Sequence, residues 1–129
     1  KTAGKPGHVS SQQLADLTAH VEKYAEDYHL VAMHHHPVAC GGWMDKYPLL
    51  NSDEVMAAIA KLPPVKALVH GHIHYASSKN AEGVEIMSCP STCWQWALTQ
   101  TFAESDERPG FRILRCFDDG RFESEVVRV

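Results

Sequence analysis

The sequence predicts a mixed α/β (α+β) fold in which a strand–helix–strand unit is followed by antiparallel hairpins. Three observations lead there. Two short apolar runs, 29–33 and 65–69, flank a stretch with helical spacing; each run ends in histidines; and two hairpin signals follow. With 129 residues, 44% hydrophobic and 22% charged, the chain is long enough to bury a core and has no composition of disorder. Neither a repeat nor a low-complexity linker divides it, so residues 1–129 read as a single unit.

Ser10 to about Asp27 reads as a helix, with Leu14, Leu17, Val21, Tyr24, Ala25 and Tyr28 on one apolar face. Ser10 and Gln13 form a capping-box pattern at its start. His29-Leu30-Val31-Ala32-Met33 is short and ends abruptly, as a buried strand does. A loop runs through His34-His35-His36-Pro37, Gly41-Gly42, Trp43 and Pro48. Asn51, with Glu54 as capping partner, opens a second helix whose apolar face is Val55, Met56, Ile59 and Ala60, and Pro63-Pro64 ends it. Val65 to Val69 is the second strand. A crossover of this kind makes the two strands parallel, so both histidine clusters fall on one sheet edge, where open α/β sheets place ligands. Beyond His74, Tyr75–Lys79 and Val84–Met87 flank a loop at 80–83. Phe111–Phe117 and Phe122–Val129 flank Asp118-Asp119-Gly120.

A net charge of −4 and the lack of any basic stripe exclude a protein that tracks a nucleic-acid backbone. A bound metal could still supply local positive charge for a phosphate ester. No apolar run approaches the roughly 18 residues of a membrane span. No apolar core follows Lys1 to Gly7, so no secretory signal is expected, and the chain does not begin with Met, as a processed or excised piece would not. Cys40, Cys89, Cys93 and Cys116 are then expected reduced, in the cytoplasm. Cys89 and Cys93 are spaced as a metal clip could be, although small apolar packing residues are the commoner reading.

The unusual count is nine histidines, most of them in His34-His35-His36 and His70-Gly71-His72-Ile73-His74. Neutral imidazole is the commonest protein ligand for mid-series divalent metals. His72 and His74, at i and i+2, face one pocket if the segment is extended, with Gly71 giving the turn its freedom. A lone histidine usually just caps a strand. Two clusters at neighbouring strand ends point instead to a metal.

Gly71-His72-Ile73-His74 after an apolar strand resembles the G-H-x-H block of calcineurin-like metallophosphoesterases, and Met33-His34-His35-His36-Pro37-Val38 resembles the block before it. Trp43-Met44-Asp45, Leu50-Asn51 and Cys89-Pro90-Ser91-Thr92-Cys93 are similar to bacterial class III cyclic-AMP phosphodiesterases. The resemblance runs from about Val9 to the C-terminus. It implies the C-terminal half of an α-β-β-α sandwich and a hydrolase that converts 3′,5′-cyclic AMP to 5′-AMP. Two divalent ions, iron, manganese or zinc, activate the attacking hydroxide. His72 would bind the second metal with one histidine of the triple run, and His74 the first. Alignment on Met33 favours His34, while counting back from Pro37 gives His35; both stay open. His36 would be supporting. No catalytic residue beyond the ligands is implied.

The family's earlier blocks, D-x-H, G-D-x-x-D and G-N-H, have no counterpart: Asp16, Asp27 and Asp45 lie in other contexts, and no Gly-Asp or Gly-Asn-His occurs. The resemblance thus implies an incomplete metal site, a missing N-terminal half as partner, and an isolated chain without activity. An open sheet edge could also pair with a second copy of the chain. Trp43, Trp94 and Trp96 could line a base pocket or simply fill the core. Two non-catalytic readings stand beside the enzyme: a His-rich metal-binding module, and a regulatory or interaction half that pairs with a separate front half.

Overall fold

In a computed structural model, residues 5–129 are described. Helix α1 spans Ser11–Lys23, and Ser10 caps it as the sequence predicts: its side chain accepts from the Gln13 N–H while the Gln13 side chain accepts from the Ser10 N–H. The helix stops short of the expected Asp27. Tyr24 leaves helical geometry, and Tyr24 and Tyr28 are 41% and 52% exposed, because no core remains beyond Val21 for that face to bury against. The Tyr28 ring lies instead against Gly120, at the tip of the last hairpin.

Strand β1 (His29–Met33) and strand β2 (Val65–His70) are joined through a 3₁₀ turn at Trp43–Lys46 and helix α2 (Ser52–Ala60). The two strands pair in parallel, as the crossover predicts. Asn51 precedes α2, but its side chain makes no capping bond to the helix backbone. Asn51 bonds both the N–H and the carbonyl of Val9, and its amide also donates to the Glu54 carboxylate, so it ties the start of the chain to α2. Hairpin β3 (Ser77–Ala81) and β4 (Val84–Ser88) completes a sheet of order β1-β2-β4-β3, with β4 parallel to β2 and antiparallel to β3. Its loop is a two-residue turn, Glu82-Gly83, rather than the four residues expected. Both turn residues have positive φ, +53° and +78°, as the tight primed hairpin turn requires.

One core cluster joins α1, α2, β2 and β4 through Leu14, Val21, Val55, Ile59, Leu68 and Ile86. A smaller one, Trp43, Met44 and Ile73, lies at the histidine end. A short pair, β5 (Gln95–Trp96) with β6 (Glu104–Ser105), precedes the long hairpin of β7 (Gly110–Cys116) and β8 (Phe122–Arg128). Arg112 of β7 donates to the Ser88 and Ser77 carbonyls and so clamps this hairpin to the end of β3 and β4. Among the described residues no helix is long and apolar enough to cross a membrane, and the four cysteines are free thiols.

Candidate metal centre

Parallel pairing puts Met33 beside His70, so His34 leaves β1 where Gly71 leaves β2, and the Gly71 N–H donates to the His34 carbonyl at 3.2 Å. The segment beyond is not extended, which corrects the i, i+2 expectation. His72 and His74 both take positive φ, +68° and +47°, and Gly71 does not. Burial of Ile73 in the Trp43–Met44 cluster explains this: the chain turns to seat Ile73, with its N–H bonded to the Gly71 carbonyl, and the flanking imidazoles swing round it. A Cβ on Gly71 would meet the His34 ring at an ordinary 3.7 Å, so glycine's freedom is not what the site needs there.

The structure brings His34 and His72 together, with Nε2 of His34 3.2 Å from Nδ1 of His72. The other nitrogen of His72, Nε2, donates to the Tyr47 carbonyl at 3.1 Å, leaving Nδ1 as the acceptor that faces His34 Nε2. His74 donates from Nδ1 to the Trp94 carbonyl at 3.0 Å, which leaves its Nε2 as the free lone pair. Its ring lies flat on Trp96, centroids 3.8 Å apart and planes within 6°. His35 turns its Nε2 to the Lys5 carbonyl at 2.8 Å, although its ring is only 4.2 Å from that of His72. His36 is buried and donates to Asp45 Oδ1 at 3.1 Å.

Burial disfavours charge on these rings. It takes His72 down to about 4, helped by His35, His34 and His36 around it. His34 is lowered by burial and by His35, and His74 by burial and by His34, against the opposing bond to Trp94. All three are neutral imidazoles near pH 7, the form that binds metal.

The donor set can therefore be tested against a divalent ion. Ligand bonds of about 2.0–2.1 Å bring neighbouring nitrogens to about 3 Å, the spacing of His34 and His72, and the carbonyls of Tyr47 and Trp94 fix the tautomers of His72 and His74. These residues fit part of such a centre. Among the described residues the one group of three or more metal-type side chains is a different one, His36, Cys40 and Asp45, with ligand atoms within 4.8 Å of one another. Sequence reasoning set Asp45 aside and left Cys40 unassigned; no spacing signal joins residues four and nine positions from His36 across a loop. Burial pushes the Cys40 thiol up to about 11, and the Asp45 oxygens already accept from His36, the Cys40 N–H and the Gly41 N–H. That group reads as a loop clasp. Cys89 and Cys93 take part in no such group among the described residues.

Of the tryptophans, Trp43 is buried against Trp96 and Phe102 and is a core residue, whereas Trp94 is 52% exposed with its ring 6.1 Å from His74.

No protein-family model matches the chain. Curated relatives do. A 3′,5′-cyclic-nucleotide phosphodiesterase of Nostoc sp. is 34% identical over 125 residues, 95% of this chain and 47% of the relative. The 3′,5′-cyclic adenosine monophosphate phosphodiesterase CpdA of Pseudomonas aeruginosa is 36% identical over 96% of this chain and 46% of its own length; CpdA of Escherichia coli is 34% identical over 95% and 46%. A dimetal phosphatase from Danio rerio shares the fold, with a TM-score of 0.54 at 18% identity over 92% of this chain and 38% of that one. The resemblance read from the histidine blocks is borne out. The chain is homologous, over nearly all of its length, to part of the cyclic-nucleotide phosphodiesterases, and it spans about half the length of the curated relatives it matches.

Proposed function

We propose that this chain is part of a metal-dependent phosphodiesterase that hydrolyses 3′,5′-cyclic AMP to 5′-AMP, and that it contributes the histidines of a two-metal centre. The observation that carries the reading is the approach of His34 Nε2 to His72 Nδ1 at 3.2 Å, each ring neutral and His72 locked in one tautomer by Tyr47. His34 and His72 would hold one ion. His74, with Nε2 free, would hold the other. His34 is preferred to His35 because its Nε2 is the nitrogen that meets His72, whereas the His35 ring turns Nε2 to the Lys5 carbonyl and packs its Nδ1 side against Gly7. Divalent iron, manganese or zinc at such a centre would polarise the phosphate and lower the pKa of water.

The chain's own groups orient and exclude. Tyr47 and Trp94 supply the carbonyls that aim two imidazoles, and Trp96 covers one face of His74. Trp94 offers an exposed indole beside His74 for a nucleobase, since purines stack well on aromatic faces. The remaining ligands would come from the other half of the protein, in the reducing cytoplasm that its four free thiols suit.

A second reading, a non-catalytic metal-binding module, is favoured by one observation: among the described residues no carboxylate joins His34, His72 and His74. The two readings separate on turnover. Titrating the chain with manganese in the presence of a fragment bearing the D-x-H, G-D-x-x-D and G-N-H blocks, with cyclic AMP as substrate, gives 5′-AMP under the first reading. Metal uptake without turnover supports the second.

A further inference from the structure

We infer that Asp45 is a positioning residue for the metal-facing nitrogen of His72. The inference rests on the proposed metal centre for its purpose, but its geometry stands independently. Asp45 reaches His72 by two routes. Through its side chain it holds His36, whose Nε2 donates to Oδ1 at 3.1 Å, and the His36 ring stacks on that of His72 with centroids 5.7 Å apart and planes within 19°. His36 Nδ1 is buried with no hydrogen-bond partner, so Asp45 is the one polar anchor of that ring among the described residues. Through its backbone Asp45 sits in the 3₁₀ turn Trp43–Lys46. The turn is closed by its N–H to the Gly42 carbonyl, and it delivers the Tyr47 carbonyl to His72 Nε2 at 3.1 Å.

The carboxylate also fastens the loop that carries this turn, accepting the N–H groups of Cys40 and Gly41 at 2.9 Å each. One side chain therefore anchors both the His36 ring that faces His72 and the loop that carries the acceptor deciding which His72 nitrogen holds the proton. With Nε2 protonated toward Tyr47, Nδ1 is left as a lone pair facing His34. Partners of this kind that orient a ligand histidine typically change metal affinity 10–100-fold when removed.

The experiment uses the 129-residue chain, ¹⁵N-labelled and metal-free, with long-range ¹H–¹⁵N spectra of the histidine rings and cobalt(II) as the metal probe. Wild type is expected to show His72 as the single Nε2–H tautomer. Asp45→Asn and Asp45→Ala are expected to show a mixture of tautomers at His72 and a loss of cobalt affinity of roughly 10-fold or more. Val55→Ala, in the helix-side core, is the control for mere destabilisation: it lowers the melting temperature but leaves the His72 tautomer and cobalt affinity unchanged. An Asp45→Asn chain that folds and keeps both the single tautomer and the affinity overturns the inference. So does failure of both Asp45 variants to fold, since Asp45 would then serve the fold and not the site. If wild type takes up no cobalt, the metal reading fails, and the tautomer spectra alone decide the role of Asp45.

Discussion

His72 occupies a backbone conformation that costs a non-glycine residue on the order of 1–2 kcal/mol, at φ +68°, in order to turn its ring toward His34. His72→Gly should therefore be more stable than His72→Ala by about 1 kcal/mol in denaturant unfolding of the metal-free chain, while both lose metal uptake. Equal stabilities would show that the strain is absent. The same burial that keeps the rings neutral couples stability to pH. His70 and His72 are lowered to about 4 in the folded chain from an ordinary 6.5, chiefly by burial. The unfolded chain thus binds more protons between those values. Stability is complete above about pH 6.5 and is lost as pH falls toward 4, by on the order of 3 kcal/mol for each ring at the limit. The denaturant midpoint should fall between pH 7 and 4.5, less steeply in His70→Gln; a flat profile would contradict the burial argument. The identity of these histidines was legible in the sequence because each follows an apolar run. Which nitrogen each one uses was not, since that depends on the Tyr47 and Trp94 carbonyls, which come from distant loops.

Elements whose determinants are local were legible. The Ser10 capping box, both parallel strands and the two hairpins follow from neighbouring residues, and Ser10→Ala should cost about 1 kcal/mol of stability in denaturant unfolding. Elements set by tertiary contact were not. The end of α1 depends on where the core stops, and Asn51 serves Val9 as a cross-chain tie rather than capping α2, because its carbonyl accepts the Val9 N–H while its amide donates to the Val9 carbonyl. The β7–β8 hairpin shows the same dependence: Arg112 fastens it to Ser77 and Ser88 with bonds to carbonyls that no sequence window pairs with it. Arg112→Met keeps the stem but removes those charged donors, and should destabilise the chain by about 2–3 kcal/mol in denaturant unfolding. Arg112→Met within a few tenths of wild type would mean that strand pairing alone holds the hairpin.

At the scale of the whole molecule, β1 is the outer strand of the four-stranded sheet, and the histidines lie beyond its C-terminal end, where the proposed centre requires further ligands. Both features belong together if the other half of the protein docks there. A chain tested alone should then self-associate through that edge at micromolar concentration, which sedimentation would reveal as a concentration-dependent increase in mass. Strict monomers would leave the edge without this role. The chemistry gives the sharper test. Neutral imidazoles alone do not neutralise two divalent ions, and attack on phosphorus needs both ions and water held together. Cyclic-AMP hydrolysis with added manganese should be measured for this chain alone, for the chain joined to the half carrying the three earlier blocks, and for that joined protein with His72→Ala. Turnover is expected only for the joined protein, with a loss of at least about 100-fold in His72→Ala, on the scale of removing a metal ligand. Substantial turnover by the chain alone, abolished by His72→Ala, would contradict that expectation.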